Sequence, residues 1–234
     1  MTNTLEEVGL TQAEAETYTA AELMSYALER FSPRVAIASS FGAEDVVLIH
    51  LAAQASRSFR VFTLDTDFLF RETYALIDDI ERRYQIKVER TKSRLSPKEQ
   101  AAAFGEALWS HQPDQCCNLR KVEPLTHKLS ELDAWVTGIR RDQAPTRANA
   151  RKLEWDAKFG LIKFNPLADW KWDEVWDYIR AHDIPYNPLH DQGYPSIGCT
   201  YCTRAVQAGE DPRAGRWSGF EKTECGLHGA GNRQ

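Results

Sequence analysis

Apolar positions recur along this chain at two spacings, and the two spacings alternate. Phe70, Tyr74, Ile77, Ile80 and Tyr84 fall on one face of a helix, as do Trp172, Val175, Trp176 and Ile179 later on. Thr19-Ala-Ala-Glu22 is a capping box and predicts a helix to about Arg30. Ser96-Pro97-Lys98-Glu99 opens another, with proline at its first position. Residues 45–55 are nearly all apolar, as suits a helix packed on a sheet. Between these helices lie short apolar runs at 34–38, 60–64, 86–91, 134–139 and 161–164, which read as five strands.

Alternating strands and helices predict an α/β fold, a mostly parallel sheet with helices on both faces, because parallel neighbours need helical crossovers. Beyond Asp183 the periodicity fades and Gly, Pro and charge increase. Residues 183–198 read as an ordered loop and residues 205–234 as a mobile C-terminal tail. The expected organisation is one domain over residues 1–204 followed by that tail.

Composition narrows the class. With 234 residues, 42% hydrophobic and 27% charged, the chain is an ordinary globular one. Its 29 Lys+Arg against 34 Asp+Glu give a net charge of −5, which argues against a nucleic-acid binder driven by bulk charge. No apolar run approaches the about 18 residues of a membrane span, and the N-terminus lacks a basic region followed by an apolar stretch. A cytoplasmic setting is expected, with no membrane partner.

In such folds ligands sit beyond the carboxyl ends of the strands, and three turns lie there. The first, Ser39-Ser40-Phe41-Gly42-Ala43-Glu44-Asp45, combines two hydroxyls and a glycine with a helix N-terminus, which suits a phosphate-binding loop or a plain capping turn. It matches neither the dinucleotide nor the kinase-like glycine pattern. The second, Asp65-Thr66-Asp67, suits ribose hydroxyls or a helix cap. The third, from Gly138 to Arg147, carries Arg140, Arg141 and Arg147, a set for an anionic ligand or a solvated basic loop.

Five cysteines divide as four plus one. Cys116 and Cys117 are adjacent, and Cys199 and Cys202 are in C-x-x-C spacing. Adjacent side chains point apart, which disfavours one tetrahedral zinc and suits an iron–sulfur cubane, with zinc as the runner-up. Lys121 would offset thiolate charge or stand as a solvated cation. Cys225, in Glu224-Cys225-Gly226-Leu227-His228 and preceded by Arg213 and Arg216, is either a nucleophile on a flexible arm or an exposed terminal thiol.

Together these pieces resemble the assimilatory adenylyl-sulfate reductases, the adenosine 5′-phosphosulfate (APS) branch of the APS/PAPS reductase family, over residues 35–228. The most specific marks are the four paired cysteines and the tail from Gly209 through Trp217 to Glu224-Cys225-Gly226-Leu227-His228. The resemblance implies an adenine nucleotide alpha hydrolase-like (Rossmann-like) fold and thioredoxin-dependent reduction of APS to sulfite and AMP, in sulfate assimilation and cysteine biosynthesis. It makes Cys225 the nucleophile that forms an S-sulfonate. It makes Cys116, Cys117, Cys199 and Cys202 the ligands of a [4Fe–4S] cluster, with Lys121 as the cluster's neighbour. Substrate contacts are implied for Ser39, Ser40, Gly42, Asp45, Asp65, Thr66, Gly138, Arg140, Arg141, Arg213, Arg216 and His228. The family's usual serine after Gln143 is Ala144 here. Thioredoxin or a glutaredoxin-like protein is the implied donor, and a homo-oligomer the implied assembly. The competing readings are a reductase of 3′-phosphoadenosine phosphosulfate (PAPS) or of both substrates, an ATP pyrophosphatase of RNA thiolation, and a non-enzymatic zinc-binding module.

Overall fold

The structure, a computed structural model, describes residues 8–220, 222, 226 and 227. Six strands form one sheet: β1 Val35–Ala38, β2 Val61–Asp65, β3 Val88–Lys92, β4 Ala134–Val136, β5 Leu153–Asp156 and β6 Leu161–Phe164. Their order is β3-β2-β1-β4-β6-β5, and every pair is parallel except β5 with β6. The chain moves outward on one side through β2 and β3, then crosses to the other side of β1 at β4. That reversal opens a crevice between β1 and β4 beyond their carboxyl ends.

Alternation along the strands divides the core in two. Val35 and Ile37 of β1, Val61 of β2, and Ala134 and Val136 of β4 face one cluster, which also takes in α2 (Ala20–Phe31), α3 (Ala43–Ala55), α4 (Arg71–Tyr84) and α8 (Trp172–Ala181). Ala36, Phe62 and Trp135 point the other way, onto Leu125 and Leu129 of α7 (Glu123–Leu129). Both faces are therefore covered, and buried strands of this kind read as continuous apolar runs. The capping boxes at Thr19 and Ser96 form as the sequence predicts, the latter opening α5 (Pro97–Phe104). A further capping box at Thr11 opens the short α1 (Gln12–Thr17). Among the described residues no helix is long and apolar enough to cross a membrane.

Two elements have no counterpart in the sequence pattern. β5 was not expected, and it runs antiparallel along the sheet edge, pairing Leu153 with Phe164 and Asp156 with Leu161. The stretch around the first cysteine pair is helical: α6 (Pro113–Cys117) passes into α7 through a π turn, Asn118–Val122. The segment expected as a tail is packed as far as Trp217. Arg204 N–H donates to the Gly215 carbonyl at 3.0 Å, Trp217 N–H donates to the Cys202 carbonyl at 3.1 Å, and Trp217 is buried.

Candidate active site

A cavity of about 460 Å³ fills the crevice at the chain reversal, a volume suited to a nucleotide. Ser39, Ser40, Gly42 and Asp45 line it from the β1–α3 turn, Thr66 from the end of β2, and Gly138 and Arg140 from the segment after β4. Lys121, Arg213 and Arg216 line it from the cysteine side.

The β1–α3 turn is built around Asp45. Ser40 donates to the Asp45 carboxylate from its backbone N–H (2.5 Å) and from its hydroxyl (2.8 Å), and Phe41 N–H donates to Ser39 Oγ at 3.1 Å. Burial pushes the Asp45 carboxyl up to about 6 despite those two hydrogen bonds. The left-handed residue of the turn is the buried Phe41, at φ 60°, not Gly42. A Cβ on Gly42 would meet nothing nearer than 3.7 Å. Gly42 contributes instead by leaving α3 without a side-chain cap, so that its first N–H groups stay available to an anion. Gly138 is sterically required: a Cβ there would lie 2.6 Å from Asp45 Oδ1 and 2.8 Å from Glu44 Cβ.

The arginines sort by their partners. Arg140 is buried and donates to Glu44 Oε1 at 2.8 Å, with Asp142 as a second carboxylate partner. It holds the wall of the cavity and is already neutralised. Arg141 does not reach the cavity. Its guanidinium donates to Glu16 Oε2 and to the Ala150 carbonyl, both at 2.7 Å, because two adjacent residues leaving a strand end diverge and α1 offers a carboxylate outside. Asp65 is likewise outside the cavity, since its buried carboxylate accepts from Tyr74 Oη (2.7 Å) and Asp67 N–H (3.1 Å) and pairs with Lys92. Arg216 is different: among the described residues it has no carboxylate partner, and its buried Nε has no hydrogen-bond acceptor.

The four cysteines of the two pairs come together beside this cationic end. Cys116 and Cys117 close α6, while Cys199 precedes the turn Thr200–Cys202 and Cys202 ends it, and all four are free thiols. Burial raises the Cys116 thiol to about 12, with Cys117, Cys199 and Cys202 adding to the rise and Arg120 opposing it. Burial also raises Cys202 to about 11, helped by Cys199 and Cys117 and opposed by Lys121 and Arg216. Among the described residues no three His, Cys, Asp or Glu side chains converge on a single ion. Four thiols that feel one another electrostatically are a set of soft donors that could hold a metal centre. The cations Arg120, Lys121 and Arg216 around them fit the negative charge of four thiolates. Thr66 Oγ1 lies 3.3 Å from Cys199 Sγ and joins the thiols to the cavity.

Cys225 and His228 lie outside the described residues. Their neighbour Leu227 lines the cavity and packs against the Trp135 cluster, and Lys158 Nζ donates to the Gly226 carbonyl.

Some cavity residues carry no signal in the sequence. Trp172 and His190 form part of the wall, and Ser196, Ile197 and Gly198 lie against Arg216. Nearness to Cys199 along the chain is the signal that could have drawn attention to residues 196–198.

Residues 34–205 match the phosphoadenosine phosphosulfate reductase domain. The chain belongs to that family. An adenosine 5′-phosphosulfate reductase of Shouchella clausii (strain KSM-K16) is 48% identical over 208 residues, covering 88% of this chain and 86% of that protein. One from Halalkalibacterium halodurans is 49% identical over 208 residues, covering 88% and 90%. Among solved structures, the phosphoadenylyl-sulfate (PAPS) reductase of Candida auris in a phosphate complex superposes with a TM-score of 0.76 at 28% identity, covering 87% of this chain and 99% of that one. Candida glabrata FMN adenylyltransferase, at 16% identity, TM-score 0.58 and 86% and 66% coverage, shares the fold alone. The phosphoadenosine phosphosulfate reductase family is thus shown across most of the chain, and the paired cysteines and the part of the crevice from Ser39 to Gly198 lie within the matched residues, while Arg213, Arg216 and Leu227 lie beyond them.

Proposed function

We propose that this protein reduces APS to sulfite and AMP in sulfate assimilation, with Cys225 as the nucleophile. The observation that carries the reading is the crevice itself. A nucleotide-sized cavity ends in Lys121, Arg213 and Arg216, next to four clustered thiols, in a chain whose 48–49% identical relatives carry the APS reductase name. Apolar side chains of Phe62, Leu64 and Trp172 suit a purine, and the open N-terminus of α3 suits a phosphate.

The Cys225 thiolate attacks the sulfate sulfur, the bond from that sulfur to the bridging oxygen breaks, and AMP leaves with the bonding pair. An S-sulfonate remains on Cys225. A dithiol protein of the thioredoxin or glutaredoxin type then attacks the Cys225 sulfur and expels sulfite. Its second thiol resolves the mixed disulfide, so two electrons pass from the dithiol to sulfur. Bringing an anionic nucleophile to an anionic group needs cations in place beforehand, and Lys121, Arg213 and Arg216 supply them. Cys116, Cys117, Cys199 and Cys202 would hold a [4Fe–4S] cluster, which supplies a fixed local field when bound. A cytoplasmic setting, where a dithiol donor is kept reduced, and a homo-oligomeric assembly belong to the same proposal.

APS is preferred over PAPS in this reading. The four paired cysteines, and 48–49% identical relatives that carry the APS reductase name, support that preference. The mechanism is tested with APS labelled in its sulfate sulfur and no donor present. The wild type is expected to gain a covalent label on the Cys225 peptide that thioredoxin discharges as sulfite. Label retained in Cys225→Ser would place the nucleophile elsewhere.

A further inference from the structure

Residues 196–198 line the cavity immediately before Cys199 in the chain, and two of their polar atoms meet one side chain. Ser196 Oγ accepts from Arg216 Nη1 at 3.1 Å, and the Ile197 carbonyl accepts from the same nitrogen at 3.4 Å. The Trp217 ring also lies against the guanidinium, whose carbon is 4.5 Å from the ring centroid. A Cβ built on Gly198 would lie 2.4 Å from Arg216 Nη2, 2.7 Å from Cζ and 3.2 Å from Nε. All three of its nearest neighbours belong to Arg216. The φ of Gly198 is outside the left-handed region, so the backbone at this position would accept alanine. The need for glycine therefore comes from the guanidinium. Because that group is the far end of a flexible side chain, an added methyl would displace the guanidinium and leave the fold intact.

We propose that residues 196–198 form a shelf that fixes the direction of Arg216, with Gly198 and Ser196 as positioning residues for the sulfonucleotide. The proposal rests on the reading of the cavity as an APS site. The shelf hydrogen-bonds one of the guanidinium's nitrogens, Nη1, and leaves Nε buried without an acceptor. An arginine held in this way meets its anion without first having to be ordered, which is where pre-organisation adds affinity. A free arginine at the same place would carry the same charge with many more rotamers.

The test is a double-substitution cycle on steady-state sulfite release from APS, at matched iron content. Gly198→Ala is expected to raise KM and lower kcat/KM by about tenfold or more, as for loss of a charge-assisted contact. In the Arg216→Ala background the same substitution should change kcat/KM by no more than about twofold, because the group it displaces is gone. Ser196→Ala should move kcat/KM in the same direction and show the same dependence on Arg216. It carries the cycle if Gly198→Ala loses iron. Wild-type kinetics in Gly198→Ala, or losses that multiply with that of Arg216→Ala, overturn the proposal. A crystal structure of Gly198→Ala reads the shelf without any reaction: a displaced guanidinium supports it and an unmoved one contradicts it. Failure of the wild type to reduce APS would sink the functional reading, and that crystal structure would still decide the shelf.

Discussion

At the scale of single residues, the site depends on which charged groups are already paired. Arg140, Arg141 and Arg216 look alike in the sequence, yet Glu44 with Asp142 neutralises the first and Glu16 the second. Pairing is a property of what the fold brings within reach, and no local spacing encodes it. The same is true of Asp45, whose place in the turn was legible but whose burial was not. Its folded carboxyl keeps its proton to about pH 6, well above the value of an unfolded aspartate, so the folded state binds more protons between the two. The sign follows: Asp45 costs stability as pH rises through that window. Relative to Asp45→Asn, the wild type should lose about 1 kcal/mol between pH 5 and pH 7. Thermal unfolding of both proteins at the two pH values measures this, and a constant difference would contradict it.

The elements that the chain's own pattern specifies formed as expected. Capping boxes at Thr19 and Ser96, the amphipathic stripe of α4 and the apolar runs of β1, β2 and β6 are local signals, strong enough to be read directly. β5 was not legible, because Leu-Glu-Trp-Asp shows one short alternation and owes its strand to pairing with β6. The π turn was not legible either, since its extra residue per turn is set by what it must reach. It carries Arg120 inward to Asp67 Oδ2 (3.0 Å), Gln100 Oε1 (2.7 Å) and the Thr66 carbonyl (3.1 Å), while the next residue, Lys121, lines the cavity. Arg120 is buried and ties the cysteine helix to the end of β2. Arg120→Ala leaves Gln100 and Asp67 without that partner, and the expected loss is about 3 kcal/mol by anaerobic urea unfolding. A loss below about 1 kcal/mol would mean that the ion pair is dispensable.

The whole molecule joins segments far apart in the sequence into one site. The β1–α3 turn, the segment after β4 and the two cysteine pairs converge because the sheet reverses direction between β1 and β4. A cluster held by residues 116–117 and 199–202 would pin the second segment, with Trp217 and Arg216 hydrogen-bonded behind it, against α6. Cys116→Ser and Cys199→Ser are each expected to purify with little iron and without the visible charge-transfer absorption of an iron–sulfur protein. Cys225→Ser should retain both. Full iron in either of the first two variants would refute the ligand assignment.

Substrate choice is the most direct measure of what this site does. Purified iron-loaded protein, given thioredoxin with its reductase, should release sulfite from APS with a kcat/KM well above that for PAPS under the same conditions. Equal or higher efficiency with PAPS, or no sulfite from APS, would contradict the proposed function.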